Sequence, residues 1–199
     1  MGYNFDFDFD DKKKTKSLWK KILIEILIWA VCIGGSIYLA YFITNDTLEI
    51  SNVSDNSMSP TLVENDSILI NKLPYLFGDP KRNDIIFFQK KDSASSFYNI
   101  KRIIGIPGDT ISIVDGKITV NGNEYTENIN VEIISNGGLA KNGITLLEDE
   151  YFVLGDNRNQ SEDSRFATIG IIKRDEIVGK AWLRLNELSI VDELNKLEE

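Results

Sequence analysis

The run from Ile22 to Ile43 holds one charged residue, Glu25, in twenty-two positions. As an α-helix it is roughly 33 Å long, enough to cross a hydrocarbon core of ~30 Å. It is the only stretch of membrane length in 199 residues, so the sequence predicts one anchor followed by one domain. Glu25 sits near the start of the run, within reach of Lys21, and Trp19, Tyr38 and Tyr41 suit the headgroup zones. Lys12, Lys13, Lys14, Lys16, Lys20 and Lys21 all precede it. Positive charge stays on the cytoplasmic side, so residues 1–21 are expected to form a cytoplasmic tail, 22–43 a transmembrane anchor and 44–199 an extracytoplasmic domain. A cleavable secretory leader has the same charge order. Its apolar core is shorter, however, and ends at a small-residue cleavage site, which Thr44-Asn45-Asp46 does not supply. The run therefore reads as a retained anchor. The Phe5-Asp6-Phe7-Asp8-Phe9-Asp10 segment before it reads as a mobile tail.

The net charge is −9, and residues 44–199 carry sixteen Lys and Arg against twenty-six Asp and Glu. So acidic a domain argues against nucleic acid as a partner. The single cysteine, Cys32, lies inside the apolar run and excludes an intramolecular disulfide. With no histidine and no paired cysteines, the sequence offers no metal-ligand cluster, and neither metal nor cofactor is expected.

Beyond the anchor the pattern is short β-branched runs separated by turn residues, which predicts a mainly β domain of antiparallel sheets. The expected strands are Leu48–Val53, Ser67–Lys72, Asp84–Phe88, Phe97–Ile104, Thr110–Val114, Lys117–Val120, Tyr151–Leu154 and Ile177–Leu185. Asp84–Phe88 is apolar enough to be buried on both faces, and Asp115-Gly116 is a strong two-residue hairpin turn. Leu188, Val191, Leu194 and Leu197 form a thin helical stripe near the C-terminus. Residues 121–150 read as a hairpin or loop on the far side from the active site, with no chemistry assigned.

The absence of histidine limits what a nucleophile here can use as its base. A Ser-His-Asp unit is impossible, so the base must be a carboxylate or a lysine whose pKa burial has lowered. Asp55-Asn56-Ser57-Met58-Ser59-Pro60-Thr61-Leu62 has the form of a nucleophile turn, with a proline stiffening its exit. Tyr98-Asn99-Ile100-Lys101-Arg102-Ile103-Ile104-Gly105 sets a Lys-Arg pair inside a β run, and alternate side chains on a strand diverge. Arginine stays protonated, so only Lys101 can become a neutral base. Phe97 and Ile103 share its face by parity and give it apolar flanks.

With these two segments the chain resembles the bacterial type I signal peptidases, the membrane-anchored Ser-Lys proteases of serine peptidase family S26. The resemblance extends to Arg82-Asn83-Asp84-Ile85-Ile86-Phe87-Phe88, with Asn83 where that family has glycine. It also includes Gly155-Asp156-Asn157-Arg158-Asn159-Gln160-Ser161-Glu162-Asp163-Ser164-Arg165. It implies an enzyme that removes signal peptides from secreted precursors, with Ser57 as nucleophile and Lys101 as general base. It also implies a hydrogen bond from Ser161 to the lysine and an ion-paired scaffold of Asp163, Arg165 and Arg102. Its partners would be signal peptides and the lipid bilayer, its location the plasma membrane. Signal peptides of this kind carry small residues at −1 and −3, and Val53, Leu62 and Ile100 are the candidate pocket walls. The Ser57 amide is expected in the oxyanion hole. Asp55 stands where the resembled family commonly has Ser, Thr or Gly, and is expected to turn outward and cap the following turn. Asp55 and Asn83 together leave a competing expectation, a weak or inactive paralogue that binds signal peptides without cutting them.

Overall fold

The computed structural model describes residues 10–42, 47–91 and 98–193. It has two units, Met1–Asp46 and Thr47–Glu199. The acidic-aromatic tail before Asp10, the Thr44–Asp46 segment, Phe97, Leu194 and Leu197 lie outside the described residues.

In the first unit, helix α1 spans Asp10–Phe42. Its segment Leu18–Phe42 has a mean hydropathy of 2.2 and exposes its large apolar side chains all round, Leu27, Trp29 and Ile37 among them. A helix apolar on every face needs an apolar solvent. The helix starts twelve positions before Ile22 because the intervening lysines are good helix formers and no glycine or proline interrupts them.

The second unit is built on antiparallel sheets. The larger is laid out in the order β1 (Leu48–Asn52), β2 (Ser67–Asn71), β11 (Ile177–Arg184), β3 (Ile85–Phe88), β4 (Asn99–Gly105), β9 (Glu150–Leu154) and β10 (Ile172–Lys173), with β12 (Ser189–Ile190) added on β11. The smaller runs β7 (Asn123–Glu124), β6 (Lys117–Val120), β5 (Thr110–Val114) and β8 (Ile144–Thr145). The β5–β6 hairpin turns at Asp115 and Gly116, both at positive φ as its turn type requires. A short helix α2 (Pro74–Phe77) follows β2.

β3 is buried at all four positions because both its faces are covered. Ile85 and Phe87 join Ile68, Ile70, Ile100 and Ala181 on one side, while Ile86 and Phe88 join Ile103, Val153 and Ile177 on the other. Each fully buried aromatic or branched side chain contributes roughly 1.5–3 kcal/mol. A third cluster, with Ile104, Ile111, Ile113, Phe152 and Leu154, joins the smaller sheet to β4 and β9.

Two expectations are corrected. The stripe starting at Leu188 is not helical as far as it is described: β12 and a 3₁₀ turn, Val191–Glu193, occupy it, because strand pairing to β11 takes up the backbone. Residues 121–150 do not lie away from the loop that follows β9. Ser135 donates from its amide and its hydroxyl to Asn159 Oδ1 at 3.0 and 2.8 Å, and Asn136 O accepts from Arg165 Nη1 at 3.2 Å.

Candidate active site

β9 pairs with β4 only from Arg102 to Gly105, since the chain leaves the sheet after Leu154 at Gly155. Lys101 therefore sits one residue past the paired region, on the same face as Ile86 of β3, its direct cross-strand neighbour. The Ser57 turn reaches this point from the end of β1. It is held from within by Ser59 N to Asn56 O (3.1 Å) and Leu62 N to Met58 O (3.0 Å), and the Ser59–Pro60 peptide is cis. From outside, Asn157 donates its amide to Ser57 O at 3.0 Å and its side chain to Asn56 O at 3.1 Å. Gly155 makes this approach possible. A Cβ there would lie 2.5 Å from Ser57 O and 2.2 Å from Ser161 Oγ.

These constraints bring Lys101 Nζ to 2.7 Å from Ser57 Oγ, although the two residues are 44 apart in sequence. Ser57 is 6% exposed and Lys101 3%. The ammonium also donates to Ile100 O at 3.0 Å. Burial pushes the Lys101 pKa down, and the fields of Asp55, Asp163, Asp156 and Glu162 only partly oppose it. A lysine so placed is closer to the neutral form that accepts a proton, and the hydroxyl that would supply one is in contact with it.

Around the pair are two buried bidentate ion pairs. Arg165 grips Asp163 through Nε and Nη2, both at 2.8 Å, and Asp163 also accepts the Gly155 amide at 3.1 Å. Arg102 grips Asp156 through Nε (2.8 Å) and Nη2 (2.6 Å), and Thr61 of the nucleophile turn donates to the same carboxylate at 2.5 Å. Arg102 thus belongs to a pair of its own, separate from Asp163 and Arg165. Asp156 was missed in the sequence as its partner, as was Glu127, which pairs with the buried Arg158. The only prior sign of Asp156 was its place in the Gly155–Arg165 block.

Other expected residues fall elsewhere. The Ser161 hydroxyl donates to Glu162 O at 3.4 Å, and the Lys101 ammonium bonds Ser57 and Ile100 instead. Val53, Leu62 and Ile100 are packed in the core cluster with Met58 and Phe87. Ile100 faces away from Lys101 because neighbours on a strand alternate. The cavity at the pair, about 460 Å³, is lined instead by Asp55, Asn56, Asn99, Gln160, Glu162 and Ile169. Asp55 does cap the turn, but on the nucleophile itself: Oδ1 accepts the Ser57 amide at 2.8 Å. Burial pushes the Asp55 carboxyl up. Hydrogen bonds from Ser57 and the field of Lys101 outweigh it and hold the group below its usual range. Asn83 is at positive φ and places its side chain to accept from Tyr125 Oη at 2.6 Å.

A family model described as signal peptidase, peptidase S26, matches residues 26–186. A signal peptidase I P of Bacillus subtilis subsp. natto is 37% identical over 83% of this chain and 91% of its own. A probable signal peptidase I-2 of a Synechocystis species is 36% identical over 75% of this chain and 68% of its own. A signal peptidase I of Leptolyngbya laminosa is likewise 36% identical, over 81% of this chain and 80% of its own.

Proposed function

Since the chain belongs to the signal peptidases of family S26, we propose that it removes signal peptides through a Ser57–Lys101 dyad. It is a membrane-associated serine endopeptidase, and the competing reading of a binding-only paralogue is not favoured. The observation that carries the dyad is the 2.7 Å contact between Nζ and Oγ in a buried site, in a chain without histidine.

In the resting state the ammonium donates to Oγ. Once Lys101 has lost its proton, the direction reverses and the hydroxyl donates to Nζ. Oγ then attacks the scissile carbonyl carbon as its proton passes to the lysine. The same proton goes to the leaving amine, and water, activated by the again-neutral lysine, hydrolyses the acyl-enzyme. The precursor lies extended beside Asn99–Lys101, where, among the described residues, β4 has no strand pairing on the side β9 has left. Main-chain hydrogen bonds there would hold it. The lysines at the start of α1 support an N-terminus in the cytoplasm and a catalytic domain outside it.

The test is incubation of the full chain in detergent with a secretory precursor. A single cut after a small residue, lost in Ser57→Ala, supports the proposal. Cleavage that persists undiminished in Ser57→Ala contradicts it.

A further inference from the structure

The oxyanion site of a serine protease needs an N–H aimed at the carbonyl oxygen as it becomes negative. The amide of Ser57 is the nucleophile's own backbone donor, and it is already engaged by Asp55 Oδ1 at 2.8 Å. One N–H cannot serve the carboxylate and a developing oxyanion together. The carboxylate would also repel that oxyanion.

The bond is not needed to shape the turn. Asn56 and Ser57 are held by four other hydrogen bonds: the Ser59 amide to Asn56 O, the two from Asn157, and one from the Glu64 amide to Asn56 Oδ1 at 3.0 Å. Asp55 as a residue is exposed, so its side chain has water to turn into.

The same carboxylate acts on the lysine. Among the groups that oppose burial at Lys101, Asp55 is the largest, ahead of Asp163, Asp156 and Glu162. Both effects favour the resting arrangement: a blocked amide and a charged lysine.

Building on the dyad reading, we propose that Asp55 is a substrate-displaced plug on the oxyanion site. The scissile carbonyl takes the Ser57 amide, the carboxylate moves out to solvent, and Lys101 loses the charge that held its proton. Activation of the base is thereby tied to occupation of the site, and idle Ser57 is protected from unproductive attack on stray carbonyls.

Two variants of the full-length protein test this, with precursor cleavage followed from pH 5 to 10. Asp55→Gly removes both the plug and the charge. Asp55→Asn keeps an oxygen that can accept the amide and removes only the charge. The plug predicts a kcat/KM for Asp55→Gly that is tenfold to a hundredfold higher, with a smaller gain for Asp55→Asn. In both, the acid limb moves to lower pH by at least half a unit, since Asp163, Asp156 and Glu162 are left in place around Lys101. Rates within twofold of wild type and an unmoved limb in both variants overturn the plug, while Ser57-dependent cleavage by the wild type still stands. No cleavage by wild type or either variant overturns the dyad reading, and the plug with it.

Discussion

Removing Asp156 separates a buried ion pair into a buried charge and a hole. Arg102 is 4% exposed and Asp156 1%, and the pair is bidentate at 2.8 and 2.6 Å. Asp156→Ala leaves a guanidinium out of water, with Asn83 O at 3.1 Å as its remaining acceptor. Breaking a buried pair from one side costs roughly 3–5 kcal/mol. The Thr61 hydroxyl loses its 2.5 Å acceptor as well, for about another 1 kcal/mol. With an m-value near ~2 kcal/mol/M, the urea midpoint should fall by roughly 2–3 M. The control is Glu124→Gln, which breaks the exposed Lys117–Glu124 pair at 3.0 Å and should cost no more than ~1 kcal/mol. Urea titration of the full-length proteins in detergent, followed by tryptophan fluorescence, reads both. The double variant Arg102→Met, Asp156→Leu should recover most of the loss, because it removes the stranded charge. An Asp156→Ala midpoint no lower than that of Glu124→Gln would refute the reasoning.

Three further outcomes are expected. Gly155→Ala should lower kcat/KM at least a hundredfold, because its Cβ would meet Ser161 Oγ at 2.2 Å and Ser57 O at 2.5 Å; activity within twofold of wild type would contradict this. Lys101 has a folded pKa below the unfolded value of ~10.4, so the native state binds fewer protons between the two values and stability rises with pH across that window. Lys101→Met should therefore raise the melting temperature at pH 7, and the gain should shrink as the pH climbs toward 10; a gain of equal size at both pH values would contradict it. Protease added outside intact cells should digest the domain after α1 and spare the lysine-rich start of that helix; protection of that domain until the cells are permeabilised would reverse the topology.

Much of the site's logic was legible because it rests on elimination and parity. Without histidine a serine here needs a lysine or a carboxylate, and strand alternation separates Lys101 from Arg102. The Asp115-Gly116 turn fixes its hairpin locally, so Thr110–Val114 and Lys117–Val120 appear with the expected bounds. What was hidden depends on which strand lies beside which. Arg102 meets Asp156 because β4 and β9 pair with Arg102 opposite Leu154, two residues before Asp156, and no local pattern encodes that register. Val53, Leu62 and Ile100 are near the dyad in sequence, but they turn into the core, since proximity along the chain does not say which way a side chain points. Glu127 and Asn136 were hidden for the same reason: a polar stretch with no periodicity folds back onto the Gly155–Arg165 loop through contacts of its own. The rotamer of Asp55 was beyond sequence too, because an aspartate two residues before a serine can cap the turn from either side.

The central claim is that Lys101 acts as a neutral base on Ser57, and replacing its ammonium by a guanidinium tests it most directly. Arginine retains the length and the charge, but it stays protonated at any pH the fold survives. Precursor cleavage by Lys101→Arg and Lys101→Ala should be measured side by side from pH 7 to 10, with circular dichroism to confirm that both are folded. The account predicts that Lys101→Arg is as inactive as Lys101→Ala throughout. Appreciable Ser57-dependent cleavage by folded Lys101→Arg would contradict it.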